Sequence, residues 1–310
     1  MNKYKITIFG VKETTKIIAE YLHQNGIEVD LIVSIEPSVC EKNHIADYLD
    51  LESTAQLTGA DYYCVKDYSL KHLDDDFFQK NEFEIGVVYG WQRLIPEAII
   101  HKFSKGLFGF HASPDILPGG KGRSPLNWSI ILGKTVLYNH LFKYSVEADA
   151  GDLYSITEFQ INSHDTILTL LYKSLLIAKK EIVHLIHDAN AGNIKLLPQQ
   201  GTSYFFPKRS PEDGLIHFET QTTKEIVNLI RGVTKPFSGA FCFTAAGTKI
   251  VIWEAWAFDD HIDFSHYEIG EVIDNLYAMP IIKTTDGSII LKNYEGAILI
   301  PKDKLISGMD

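Results

Sequence analysis

The sequence predicts an α/β protein, with a mostly parallel, doubly wound sheet followed by a small β-barrel-like domain. Three observations carry that expectation. Apolar strand runs alternate with helical patterns through the first 190 residues, which is the pattern of a sheet covered on both faces. Composition then shifts at 191–210 to Gly, Gln, Pro, Asn and Lys, which reads as a linker. Beyond it, short strands broken by Asp-Gly and Glu-Gly turns suggest an antiparallel, OB-like β-rich unit. Domains are therefore expected at 1–190 and 211–310.

The elements follow in order. "YKITIFG" (4–10) is a strand, "TTKIIAEYLHQNG" (14–26) an amphipathic helix ending at Gly26, and "IEVDLIVSI" (27–35) a second strand. "DYYCVK" and "FEIGVVYG" (83–90) are further strands, and "IPEAIIHKF" (95–103) is a helix with Pro96 in its first turn. "GLFGFH" (106–111) is a strand that runs into a turn-rich loop. "RSPLNWSIILG" (123–133) reads as a helix with Ser124 as N-cap, Pro125 at the first position and Gly133 closing it. Two strands are expected near 135–147 and 153–161. A long helix should follow, with Ile167, Leu170, Leu171, Leu175, Ala178, Ile182 and Leu185 on one stripe. In the last part, "TKEIVNLIRG" (223–232) is the one helix among several short strands.

The totals exclude several classes. No apolar run approaches the roughly 18 residues a bilayer requires, so no membrane partner is expected. The start, "MNKYKITIFG", reads as a strand rather than a signal peptide. Cys40, Cys64 and Cys242 are scattered, giving neither a disulfide framework nor metal-ligand spacing. A reducing cytoplasm is the expected home, with no metal. The net charge of −11 argues against nucleic acid, whose capture depends on neutralising phosphates with Lys and Arg.

The first strand–helix turn, Phe9-Gly10-Val11-Lys12-Glu13, has one glycine where a dinucleotide fingerprint needs three. Attention moves to "GFHASPDILPGGKGRSPLNW" (109–128), which follows a strand of the predicted sheet. Ligands of open α/β sheets bind beyond the carboxyl ends of their strands. His111 sits there, and "EADAGD" (147–152) supplies Asp149 and Asp152 in a turn between two predicted strands. A histidine with a carboxylate partner is the minimum kit for moving a proton. On spacing alone, a backbone-satisfied loop histidine and a turn-forming aspartate fit as well.

A resemblance shifts that balance. His111-Ala112-Ser113, Leu117-Pro118, Gly122, Ser124-Pro125 and Asn127-Trp128, with Ala148-Asp149-Ala150-Gly151-Asp152, resemble the folate-dependent formyltransferase family, whose motif reads Asn-x-His-x-Ser-Leu-Leu-Pro. "FFPKRSPEDGLIHF" (205–218) and "KPFSGAF" (235–241) resemble the entry to that family's barrel-like C-terminal domain. The resemblance spans essentially the whole chain and is nearest in flavour to the nucleotide-sugar N-formyltransferases.

It implies transfer of a formyl group from N10-formyltetrahydrofolate, as co-substrate, to the amine of a nucleotide-linked 4-amino-4,6-dideoxy sugar. UDP is the first candidate nucleotide, as in pseudaminic acid-type or surface-polysaccharide pathways, with dTDP the nearest variant. His111 would handle the proton or polarise the formyl oxygen, and Asp149 would orient it. The stretch "VVYGWQRLIP" (87–96) would receive the pterin, with Tyr89, Gly90, Trp91, Gln92, Arg93 and Leu94 as candidate lining and Asp152 as a further folate contact. Ser113, Lys121, Gly122, Arg123, Lys208 and Arg209 are the candidates for the nucleotide sugar, the cations for its diphosphate. A homodimer is compatible with that branch.

The departure lies at Gly109, where the family motif carries asparagine. A glycine has no side-chain donor for the developing oxyanion. His140, Asn127 and a bound water are the candidate replacements. Two alternatives stay open: a methionyl-tRNA formyltransferase, opposed by the acidic charge, and a degenerate folate or nucleotide-sugar binding module without turnover.

Overall fold

The computed structural model describes residues 2–308 except 44, 46, 72 and 73. The chain begins β1 (Lys3–Phe9), α1 (Glu13–Gln24), β2 (Leu31–Ile35), α2 (Pro37–Asn43), α3 (Glu52–Thr58) and β3 (Asp61–Val65). It continues α4 (Asp75–Lys80), β4 (Glu82–Val88), α5 (Glu97–Ile100), β5 (Phe103–Ser113), β6 (Lys121–Gly122) and α6 (Pro125–Ile131). Then come β7 (Val136–Lys143), β8 (Leu153–Gln160), α7 (Ile167–Ala191), β9 (Phe205–Phe206) and α8 (Thr223–Val233). The last strands are β10 (Ala240–Thr244), β11 (Lys249–Asp259), β12 (Val272–Leu276), β13 (Met279–Lys283), β14 (Ser288–Glu295) and β15 (Leu305–Ile306).

Seven strands form one sheet in the order β3-β2-β1-β4-β5-β7-β8. The pairings from β3 through β5 are parallel, and β7 joins β5 antiparallel. Every residue of β2 is buried, as expected of a strand covered on both faces. One face packs Phe9, Val33, Phe78, Phe83 and Phe103, and the other packs Ile8, Ile18, Leu22, Val87, Ile182 and Leu185. In α1 the buried residues Thr15, Ile18, Ala19 and Leu22 recur at helical spacing.

Six strands form a second sheet, antiparallel, in the order β12-β13-β14-β11-β10-β15. Leu305 N–H donates to Gly270 O at 2.8 Å and Val272 N–H to Asp303 O at 2.8 Å. These bonds bring the two ends of the strand order together, so the sheet curls into a half-barrel. Ile226, Leu229, Ile230 and Val233 of α8 fill it against Ile250, Ile252, Ile289 and Leu291. The predicted fold class is the observed one.

The chain separates into two compact units, Met1–Lys121 with Tyr138–Glu158 and Ser174–Tyr204, and Gly122–Leu137 with Phe159–Lys173 and Phe205–Asp310. The elements differ from expectation in their limits. The 95–103 helix shrinks to α5 because Phe103 already pairs with Phe83 in the sheet. The strand expected at 106–111 runs from 103 to 113, since Ala112 and Ser113 pair with Asn139 and Tyr138. Ser124 precedes Pro125 as expected, but its backbone is left-handed (φ 58°) and its side chain caps nothing. Among the described residues, no helix is long and apolar enough to cross a membrane.

Candidate active site

His111 lies inside β5, buried, and directly opposite His140 on β7. The loop that follows folds back onto it. The Ser113 hydroxyl donates to Asp115 O at 2.6 Å and Gly119 O at 3.3 Å, and Tyr204 O–H bonds Asp115. This closure presents the Gly120 carbonyl to His111 Nε2 at 2.8 Å. A carbonyl only accepts, so that nitrogen carries the proton. Nδ1 then offers its lone pair, and it faces Asp149 Oδ1 at 3.6 Å.

Asp149 is held in place by its own turn. Its φ is +52°, a left-handed conformation that a non-glycine residue adopts only when its surroundings enforce it. Two contacts enforce it here. A Cβ at Gly151 would stand 1.6 Å from Lys143 O, so only glycine lets the turn lie against β7. Gln199 Nε2 donates to Asp149 O at 2.9 Å and Gly151 O at 2.8 Å. Gln199 was not foreseen, because it sits 50 residues away in a stretch that reads as linker.

His140 contrasts with its neighbour. Nδ1–H donates to His111 O at 2.9 Å, and Nε2 accepts Leu117 N–H at 3.2 Å. It is completely buried, and burial lowers its pKa to about 4. The neutral ring therefore has no proton left to offer an oxyanion. His140 is corrected from candidate donor to a strut between β7 and the loop.

Asn127 is corrected in the same way. Its Nδ2 donates to Gly232 O at 2.7 Å, clamping α6 to the end of α8 within the second unit.

Of the expected folate lining, Trp91 turns inward. It packs edge-on to Phe9 and against Tyr68, as core. Tyr89 is half-buried, with its ring edge on Phe110, and burial pushes its phenol up to about 12. Gly90 lies over α1 with φ +84°. Gln92 N–H donates to the Tyr68 hydroxyl at 2.8 Å, and the Arg93 guanidinium lies 5.8 Å from the Tyr68 ring. Leu94 is 63% exposed. The Asp152 side chain is exposed, while its carbonyl accepts Lys143 N–H at 2.8 Å.

Among the expected sugar-nucleotide contacts, Lys121 is buried and its N–H donates to Tyr204 O at 3.0 Å. In the second unit, a Cβ at Gly122 would stand 2.6 Å from Phe206 O, while Arg123 and Lys208 are exposed. Arg209 is half-buried over the Trp128 ring at 4.8 Å and donates to Asp213 O at 2.7 Å. It borders a cavity of about 130 Å³ with Ser124, Asn127, Ser210 and Phe237. That volume is well below the roughly 300 Å³ at which small-molecule sites begin, so the cavity alone cannot take a nucleotide.

The position at Gly109 is not empty space. A Cβ there would lie 2.2 Å from Tyr144 Cε2 and 3.1 Å from Tyr144 Cζ. The Tyr144 ring occupies the room that a side chain at 109 would need. Sequence reading missed it, although Tyr144 continues the period-two series His140, Phe142 that marks one strand face.

The candidate site is thus a buried histidine with Nε2 on a carbonyl and Nδ1 facing a carboxylate, on an α/β sheet. A family model described as formyl transferase matches residues 4–186, and one described as formyl transferase, C-terminal domain, matches residues 208–300. The chain belongs to the formyl transferase family.

Solved structures with the same fold include HypX from Aquifex aeolicus in complex with tetrahydrofolic acid, 17% identical with a TM-score of 0.65. That match covers 94% of this chain but 44% of HypX, so this chain spans less than half of that protein's length. An N-formyltransferase from Helicobacter canadensis, in complex with folinic acid and dTDP-3-aminofucose, is 17% identical with a TM-score of 0.66. The match covers 93% of this chain and 98% of that one. WlaRD, a sugar 3N-formyl transferase crystallised with dTDP and 5-N-formyl-THF, is 18% identical with a TM-score of 0.62, over 93% of this chain and 96% of that one.

Proposed function

We propose that this chain transfers the formyl group of N10-formyltetrahydrofolate to the primary amine of a nucleotide-linked amino sugar. The first candidate acceptor is a 4-amino-4,6-dideoxyhexose on UDP, with dTDP the nearest variant. The observation that carries the reading is His111, with Nε2 tied to the Gly120 carbonyl and Nδ1 facing Asp149 at 3.6 Å.

The residues fit a folate. Among the described residues, the backbone N–H groups of Arg93 and Leu94 make no hydrogen bond within the chain. They lie beside exposed Gln92 and Leu94, so a flat heterocycle with polar edges finds both backbone donors and an apolar contact. When bound, N10-formyltetrahydrofolate supplies the carbon: the amine lone pair forms the new C–N bond, the bond to N10 breaks, and formamide and tetrahydrofolate result. His111 takes the proton that the attacking nitrogen loses and returns it to N10. Asp149 stabilises the imidazolium in between. Arg123, Lys208 and Arg209, all of the second unit, are the cations proposed for the diphosphate, Arg209 with part of its guanidinium already engaged. Three free cysteines suit a reducing cytoplasm.

Tetrahydrofolate release is measured against a panel of UDP- and dTDP-linked amino sugars, with methionyl-tRNA as a separate arm. Turnover with one sugar nucleotide, abolished in His111→Ala, is the expected result. Turnover only with methionyl-tRNA redirects the acceptor. Binding of folate or nucleotide with no turnover anywhere means a binding module.

A further inference from the structure

Gly109 and His111 are two residues apart on β5 and therefore face the same side of the sheet, about 7 Å apart along the strand. The Cδ2–Cε2–Cζ edge of the Tyr144 ring fills the space over Gly109. The ring is fixed from behind. It stacks on Phe142, with centroids 5.5 Å apart and planes 11° from parallel, and Tyr144 N–H donates to Leu107 O at 2.7 Å. Its phenol makes no hydrogen bond to any described residue. Burial and the Asp149 charge both raise its pKa, so the O–H keeps its proton at neutral pH. Asp149 is the same carboxylate that faces His111 Nδ1. One carboxylate, Asp149, thus adjoins both a proton acceptor and a neutral O–H donor.

We propose that Tyr144 is a catalytic residue, donating its phenol hydrogen to the formyl oxygen as that oxygen becomes negative. The inference rests on the formyl-transfer reading. As the amine nitrogen bonds to the formyl carbon, the carbonyl π pair moves onto oxygen, and the Tyr144 O–H stabilises that charge without losing its proton. When the pair returns, the bond to N10 breaks. Gly109 is glycine because any side chain would evict the ring that supplies the donor.

Tyr144→Phe keeps the ring and removes only the donor. The expected result is a fall in kcat of about 10²-fold, the scale set by loss of one oxyanion donor. KM for both substrates should stay within about threefold, and the thermal midpoint should be unchanged. A purely space-filling tyrosine gives wild-type kcat in Tyr144→Phe, and that result overturns the proposal. Gly109→Ala supplies a second test by displacing the ring. It should lower kcat similarly, and the double variant Gly109→Ala/Tyr144→Phe should lose little more; losses that simply multiply refute the link.

An ultraviolet difference titration of wild type against Tyr144→Phe reads the phenol without turnover. Ionisation above the ordinary tyrosine range is expected, and ionisation near neutrality removes the donor and the proposal with it. Absence of formyl transfer by the wild-type chain ends the functional reading itself. Wild-type turnover with an unaffected Tyr144→Phe ends only the assignment of the donor.

Discussion

His111 and His140 stand opposite one another on β5 and β7, with the same side chain and nearly the same burial, yet the backbone around them gives them opposite chemistry. Both nitrogens of His140 are spent on backbone groups of the neighbouring strand and loop. His111 spends one on a carbonyl and turns the other toward a carboxylate. The lesson is that reactivity here depends less on burial than on what each nitrogen meets. Two backbone partners make a strut, whereas one backbone partner leaves the second nitrogen of His111 facing a carboxylate, the arrangement proposed to carry a proton.

The sharpest way to break this comparison is to remove each ring. His111→Ala should cost about 10³-fold in kcat while the thermal midpoint moves little. His140→Ala should do the reverse. It leaves a cavity and strands the Leu117 N–H and His111 carbonyl, so it should destabilise the fold by about 3 kcal/mol. If His140→Ala kept full stability and stopped turnover, the assignment of the two histidines would be inverted.

Asp149→Asn is the next largest effect. Asparagine tolerates the left-handed φ of +52°, so the turn should persist while the charge facing Nδ1 disappears. A fall of about 10²-fold in kcat is expected, read from the pre-steady-state formyl-transfer rate. An unchanged rate would leave His111 with no electrostatic partner in the reaction.

The pH dependence of stability tests His140 directly. Its folded pKa of about 4 lies below the ordinary value of 6.5. Between those values the unfolded chain binds a proton that the folded one refuses, so stability falls as pH drops from about 6.5 toward 4. At pH 5 the loss should be about 2 kcal/mol relative to neutral pH. Urea unfolding of wild type and His140→Gln at pH 7.5 and 5 measures it, and the variant should lose this part of the slope. The smallest effect is at Gln199. Gln199→Ala should loosen the 149–151 turn by about 1 kcal/mol, seen as faster amide exchange in residues 149–153, with kcat reduced a fewfold.

Part of the candidate site is legible in the sequence. His111 and Asp149 stand out because a titratable pair falls in turns beside strands of an α/β pattern, and the structure places them together. Trp91 was misjudged because an aromatic after a strand reads the same whether it points to solvent or to core. Its direction is set by Phe9 and Tyr68, which come from distant parts of the chain. Asn127 and His140 looked like free donors because sequence names the donor and not its partner.

The sequence by itself determined the fold class, since the alternation of strand and helix periodicities is a local property that each segment carries in its own order of apolar residues. It also marked His111 and Asp149 as candidates in the 109–128 and 147–152 segments. Tertiary structure alone decided which groups each of those residues meets. Pairing of β5 with β7 sets His111 against His140, and the turn at Gly151 brings Asp149 within reach. The same packing folds Tyr144 into the space left by Gly109, 35 residues earlier in the chain. Such assignments depend on strand register and on ångström-scale contacts between remote segments, which no local pattern encodes.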